Sequence, residues 1–367
     1  MNDFACGSRK AVDLGTVISF DTDNISAFPA TVERNCDGTF RIYYSIIYKG
    51  INAGSFNIGR ADGDFENGFT PVTFKLSPEK VTDSEVPALG NIPDKWNPTQ
   101  PVHIKLAENH YRLYFWAHCY EQGIVRYLAA DSSDGINYNV IDIHKPIFYH
   151  YCDRACPMKI SGVDGLAGLR SKVIPPAEDI IGTDELVCND ATTVYMLPDR
   201  TFEAYSAAII SVDEKSPEYI PWDNCPGKRR IIRRWHSQDG LNFIADGTVL
   251  AQDESDPPYL QFYYLSVSYR QDGSRDGIIG RYDVLAQTMD FERCRSFDGI
   301  TWNRERCNYL TRLPHELSVY STCNPFFDDG DRELMFYTSC NYIHNGKYFI
   351  GERLKGEVRC IAIPKGK

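Results

Sequence analysis

Apolar and polar positions alternate in short bursts along this chain, and the bursts come in pairs around a polar turn. Ala30-Thr31-Val32-Glu33-Arg34 passes through Asn35-Cys36-Asp37-Gly38 into Phe40-Arg41-Ile42-Tyr43-Tyr44-Ser45. Val102–Leu106 passes through Ala107-Glu108-Asn109 into Tyr111–Phe115, and Thr193–Leu197 passes through Pro198-Asp199-Arg200 into Phe202–Ser206. Asn324–Phe327 passes through Asp328-Asp329-Gly330-Asp331 into Leu334–Thr338. A period of two over four to eight residues, bounded by Gly, Asp and Asn, is the pattern of a half-buried hairpin rather than a helix. The gap between the third and last copies is about double the others, and Tyr263–Tyr269 with the turn Gln271-Asp272-Gly273 fills it, which makes five.

A second phrase punctuates three of these units. Ser132-Ser133-Asp134-Gly135-Ile136-Asn137-Tyr138, Ser237–Phe243 and Ser296–Trp302 share the form S-x-D-G-[IL]-x-[aromatic]. Gly at the tight turn takes positive φ, while the Ser and Asp oxygens cap turn amides that no strand can pair. A unit of about four strands repeated five times around an axis predicts an all-β fold, a five-bladed β-propeller, in which radial closure hides the sheet edges. The chain then reads as a single domain over residues 1–367, with blades at 20–70, 96–150, 186–248, 256–305 and 316–365 and an insertion at 152–184. That insertion, and a Pro-rich connection over about 71–98, are long enough to suggest lids or binding walls.

Composition agrees with this reading. Aromatic residues make up 13% of the chain, led by 23 Tyr and 19 Phe, and the 27 Gly and 20 Pro suit frequent turns. A formal net charge of −11 with no basic run argues against nucleic acid as a partner and suits a small neutral ligand. No stretch approaches the length of a membrane span and Met1–Cys6 has no leader pattern, so the expectation is a cytoplasmic protein with no membrane partner. The 12 cysteines are scattered through strand-like segments and read as buried thiols. Cys152 and Cys156 form a C-x3-C pair without a second ligand cluster, so no metal or other cofactor is expected.

Phe40–Ser45 and Ser296–Trp302, with their D-G-x-[YF]-R-[MLI]-Y-Y and S-x-D-G-x-x-W character, resemble the five-bladed glycosidases of the arabinanase, xylosidase and invertase group, glycoside hydrolase families 43, 32 and 68. The turn is one residue shorter than the S-x-D-x-G-x-x-W box of sialidases, which disfavours that class. The resemblance implies an oligosaccharide or glycoside ligand in the axial cavity, and catalytic acids just before the alternating run of each inner strand. At those places the chain has Phe28-Pro29, Gln100-Pro101, Asn189-Asp190 and Asn324-Pro325, so only the third blade offers a carboxylate. Hydrolysis with two carboxylates needs a pair about 5 to 9.5 Å apart. The reading therefore assigns Asp190 as base or nucleophile, Glu316 as acid with its pKa raised by enclosure, and Asp21 as a further catalytic candidate. Trp96, Gln100, Asn189, Asn324 and Glu185 are the substrate-binding candidates, since an aromatic face stacks on a sugar ring while amides and carboxylates fix hydroxyls.

Other features are read as structural. His118 and His236 lie beside strand ends, and Arg229, Arg230, Arg233 and Arg234 suggest a solvated edge strand guarded by charge. No phosphate-binding glycine loop, H-E-x-x-H or G-x-S-x-G occurs. The leading reading is a glycoside hydrolase acting on a furanoside or short oligosaccharide, and the alternative is a non-catalytic glycan-binding or scaffold propeller that has lost its acids.

Overall fold

The computed structural model describes residues 4–6, 9–20, 24–48, 55–151, 153–156, 186–223, 225–344 and 348–365. These residues are all-β, with one short 3-10 turn at Tyr120–Gln122. Five antiparallel runs of four strands account for most of them. The first is Asn24–Arg34, Phe40–Tyr48, Phe56–Asp64 and Gly68–Thr73. The second is Asn97–Ala107, His110–Cys119, Ile124–Ser132 and Asn137–Val140. The third is Thr193–Met196, Phe202–Ser211, Lys228–Ser237 and Phe243–Leu250. The fourth is Leu260–Tyr269, Arg275–Asp283, Thr288–Ser296 and Asn303–Arg304. The fifth is Ser318–Asp329, Arg332–Cys340, Gly356–Pro364 and, from the other end of the chain, Arg9–Phe20.

The repeat pattern does not predict that last pairing. Val12 lies opposite Ala362 and Phe20 opposite Gly356, so the first long strand completes the last run and ties the two ends of the described chain together. The salt bridge from Arg359 to Asp13, 2.8 Å, crosses the same seam.

The first strand of each run has one edge without a ladder partner in its own run, and buried backbone groups on such an edge must be satisfied some other way. Side chains of the neighbouring first strands do it. Asn324 accepts from the Val32 amide at 3.1 Å, Thr31 donates to the Pro101 carbonyl at 2.9 Å, and the Gln100 amide accepts from Ala191 N at 2.8 Å. Thr193 donates to the Leu265 carbonyl at 2.9 Å, and Ser268 accepts from Phe326 N at 3.0 Å. These bonds run from the fifth run to the first, second, third and fourth and back to the fifth, so the first strands close a ring around an axis. Pro98, Pro101 and Pro325 are tolerated in them because an inward edge needs no N–H.

The repeated turn has the expected internal bonds and a second role. In all three copies the Gly amide donates to the Ser hydroxyl, at 3.0, 3.0 and 2.8 Å, and the Asp carboxylate collects the two amides that follow. The turn then docks on the preceding run. Tyr114 donates to the Gly240 carbonyl at 2.9 Å and Tyr205 to the Gly299 carbonyl at 3.2 Å, while Tyr43 meets Tyr138 at 3.4 Å. The tyrosine of one phrase thus clasps the glycine or aromatic of the next.

Gly299 has φ +75°, and a Cβ there would lie 2.6 Å from the Tyr205 hydroxyl, whereas Gly330 has φ +74° with open space around it. Gly330→Ala is expected to cost about 1–2 kcal/mol for the backbone alone. Gly299→Ala should exceed it by at least about 1 kcal/mol, because the clasp must also open. Equal losses of the two variants in equilibrium denaturation would show that the turn does not clamp the runs.

Candidate functional site

The heads of the first strands of the second, fourth and fifth runs, with the residues leading into the third, line a cavity of about 190 Å³ at one end of the axis. Asp190 is the one carboxylate lining it among the described residues, joined by Thr99, Gln100, His118, Tyr263, Tyr320 and other side chains. The loop carrying Asp190 is fastened on several sides. Asn189 N donates to the Ala207 carbonyl at 2.7 Å, Ser206 donates to the Asp190 carbonyl at 3.2 Å, and the Trp116 indole donates to Thr192 at 3.2 Å.

Two non-glycine residues beside the carboxylate sit in the left-handed region, Gln100 at φ 53° and Ala191 at φ 56°. Each such conformation costs about 1–2 kcal/mol and persists where the surroundings over-determine it, commonly at a working site. Here the two are bonded to each other, and the same Gln100 amide turns its NH2 to Asp190 Oδ2 at 3.3 Å. Asn189 donates to Asp190 Oδ1 at 2.7 Å and its own Oδ1 meets His150 Nε2 at 3.0 Å.

The electrostatics of the cavity disfavour charge. Burial pushes the Asp190 carboxyl above its ordinary value, against the pull of Arg230 and the bonds from Gln100 and Tyr263. Burial likewise lowers His118 and His344 to about 4 and His150 to about 3, so all three imidazoles are neutral near pH 7. Tyr263 meets His344 Nε2 at 3.2 Å. Beside Ile47 and Phe56, the lining holds the Gln100 amide, the Asp190 carboxyl, two neutral imidazoles and three tyrosines, groups suited to the hydroxyls of an uncharged polar ligand.

Of the candidates named from sequence, Gln100, Asn189 and Asp190 are brought together. Glu316 is placed elsewhere. It accepts from Leu313 N at 2.7 Å and from the Tyr337 hydroxyl at 3.2 Å, with Arg359 at 3.7 Å, and so closes the turn that precedes the fifth run. Burial does raise its pKa, as a general acid would need, but it does not line the cavity. Trp96 packs in the second run, its indole bonded to Gln122 at 3.3 Å and the Arg126 guanidinium 5.7 Å from its ring. Asn324 bridges the first and fifth runs and lines a different cavity, at the other end of the axis. Asp21, Glu185 and Cys152 lie outside the described residues.

Tyr263, Tyr320, His118 and His344 join the site without a signal in the repeat as read above. Tyr263 and Tyr320 occupy the heads of their strands, as Gln100 does, and aligning the strand heads with one another would have found both. The arginine cluster is also different from the expectation. Lys228–Ser237 is paired on both sides, and Arg230 is fully buried, 4.8 Å from the Tyr263 ring and 3.6 Å from Asp223. It stands behind the cavity wall as a fixed positive charge.

No protein-family model matches the chain, and no curated protein matches it. Solved structures do. One titled "Glycoside hydrolase" has a TM-score of 0.58 at 11% identity, covering 97% of this chain and 92% of that one. A thermostable family-43 glycoside hydrolase has a TM-score of 0.51 at 13% identity, covering 92% and 90%. An N-acetylgalactosamine deacetylase from F. plautii, in complex with blood group B trisaccharide, has a TM-score of 0.53 at 12% identity, covering 98% and 95%. At such identities the likeness is one of architecture: the chain has the all-β fold of the propeller glycoside hydrolases.

Proposed function

We propose that the chain is one five-bladed propeller whose axial cavity binds a single uncharged sugar ring, as part of a glycan or glycoside. The observation that carries this is the Gln100–Asp190–Asn189 group, an amide–carboxyl–amide row beside the left-handed residues Gln100 and Ala191, with Gln100 and Asp190 lining the cavity. A volume of about 190 Å³ is below the roughly 300–1,000 Å³ of clefts that enclose drug-sized ligands, and suits one ring with its neighbours outside. The fold it shares with sugar-processing enzymes supports a carbohydrate-active role, and leaves the chemistry to the site.

Binding is favoured over hydrolysis because the described lining holds one carboxylate and the two-carboxylate mechanism needs two. Hydrolysis keeps one specific support, the raised pKa of Asp190, which a proton donor requires. Its partner would come from outside the described residues, with Asp21 and Glu185 the candidates. Screening the protein on a glycan array, then following hits by calorimetry and product chromatography, separates the readings. The expected result is saturable binding with no released sugar after prolonged incubation. Release that disappears in Asp190→Asn would establish the hydrolase, and absence of binding to any glycan would overturn both.

A further inference from the structure

The far ends of the same inner strands enclose a second cavity, about 450 Å³, more than twice the volume of the first. Apolar Val102, Val194, Met196 and Phe327 make one part of its wall, and three charged side chains, Glu33, Arg34 and Lys105, also line it.

Glu33 is held in place with unusual care for a surface carboxylate. Its Oε1 lies 2.5 Å from Nδ1 of His103, whose side chain is 1% exposed. With Nδ1 donating to the carboxylate, Nε2 is left to accept from the Tyr138 hydroxyl at 2.8 Å, and the imidazole is stacked against Tyr43 with centroids 4.4 Å apart. A buried, stacked and hydrogen-bonded imidazole fixes the rotamer of the carboxylate in front of it, the kind of support that preorganises a binding group. Lys105 follows His103 by two residues, on the same face of the strand and about 7 Å along it. Its ammonium stands 5.7 Å over the Tyr111 ring, and among the described residues it makes no ion pair. Arg34, by contrast, is occupied by Asp329 at 3.1 Å and the Asp328 carbonyl at 2.7 Å.

We propose that this cavity is a second ligand site, independent of the sugar site, for a small zwitterion with an apolar body: a free apolar α-amino acid. Its ammonium pairs with Glu33, its carboxylate with Lys105, and its side chain lies against Met196, Val194 and Phe327. A neutral sugar would leave that apolar wall unused, and a simple anion would meet the fixed negative charge of Glu33.

The test uses L-phenylalanine as probe, with N-acetyl-L-phenylalanine and L-phenylalaninamide as controls, in calorimetry on the full chain. The proposal expects saturable binding of L-phenylalanine, weakened about tenfold or more by blocking either charge and by Glu33→Gln or Lys105→Met. Met196→Trp, which fills the cavity without touching a charge, should also abolish it, while glycan binding at the other end stays unchanged. Thermal denaturation of each variant confirms that it is folded. No saturable binding by the wild type, N-acetyl-L-phenylalanine binding as well as the free amino acid, or equal affinity in the charge variants would each overturn the proposal.

Discussion

Glu203→Gln is expected to lower the stability of the fold by about 3 kcal/mol, because it leaves Arg275 without a carboxylate and Arg234 with Asp246 alone. The carboxylate has 0% side-chain exposure and accepts from Arg234 at 2.8 Å and from Arg275 at 2.8 and 3.0 Å. The Tyr205 hydroxyl, its one proton shared between Glu203 at 3.0 Å and the Gly299 carbonyl at 3.2 Å, adds a contact, and Tyr269 donates another bond. Arg234 belongs to the third run and Arg275 and Tyr269 to the fourth, so one carboxylate ties two runs. Glutamine can accept at one oxygen and carries no charge to balance either guanidinium. The measurement is equilibrium denaturation, with the slope against denaturant unchanged if only stability has moved. A variant in which Glu203 and Arg275 both become apolar residues of similar size should recover much of the loss, since Arg234 keeps Asp246 and no buried charge is then unpaired.

The pH dependence of this contribution follows from the direction of the shift. Burial pushes Glu203 upward, but the bonds from Arg275, Tyr269 and Arg234 outweigh it and hold the pKa below the ordinary 4.5. The unfolded chain therefore takes up a proton first as pH falls, and the stabilisation present above 4.5 is lost as pH drops through the lower folded value. Glu203→Gln should flatten the acid limb of the stability curve.

Much of the fold could be read in the sequence because its signals are local. Gly135, Gly240 and Gly299 need positive φ and their Ser and Asp neighbours cap the same turn, so seven residues specify one structure wherever they occur. The closure by Arg9–Phe20 could not be read that way. Its alternation suits any β-strand, and its partner Gly356–Pro364 lies at the other end of the chain. Asn324 shows a finer failure. The register is interrupted between Ser321 and Phe326, and an irregularity of that kind decides which end of the axis a side chain serves. Arg230 departs from expectation because a strand rich in arginine looks solvated until its partners in the next run and in a loop, Gln261 and Asp223, are known. Gln100, Asn189 and Asp190 were legible because the head of an inner strand is a place the repeat itself defines.

Asp190→Asn is expected to weaken sugar binding by about tenfold to a hundredfold, the range for losing hydrogen bonds to an ionisable acceptor at a buried site. The same variant should change stability in a way that depends on pH. Burial raises the Asp190 pKa, so the folded chain binds this proton more tightly than the unfolded chain does. Its favourable contribution is present at low pH and is lost as pH rises from the unfolded value through the folded one. Asparagine removes that loss, and it also leaves the NH2 of either Asn189 or Gln100 without its acceptor, because the oxygen of Gln100 is already committed to Ala191 N and that of Asn189 to His150. The two effects oppose each other near pH 7. The slope is the decisive quantity: the difference in stability between variant and wild type should move in favour of the variant as pH increases above about 4. A site built for binding sets affinity against stability in this way, whereas replacing a carboxylate that serves only the fold would lower stability at every pH and leave affinity unchanged. Calorimetric titration with the best glycan of the array, together with denaturation at several pH values, measures the two. Unchanged affinity with a pH-independent loss of stability would remove Asp190 from the site.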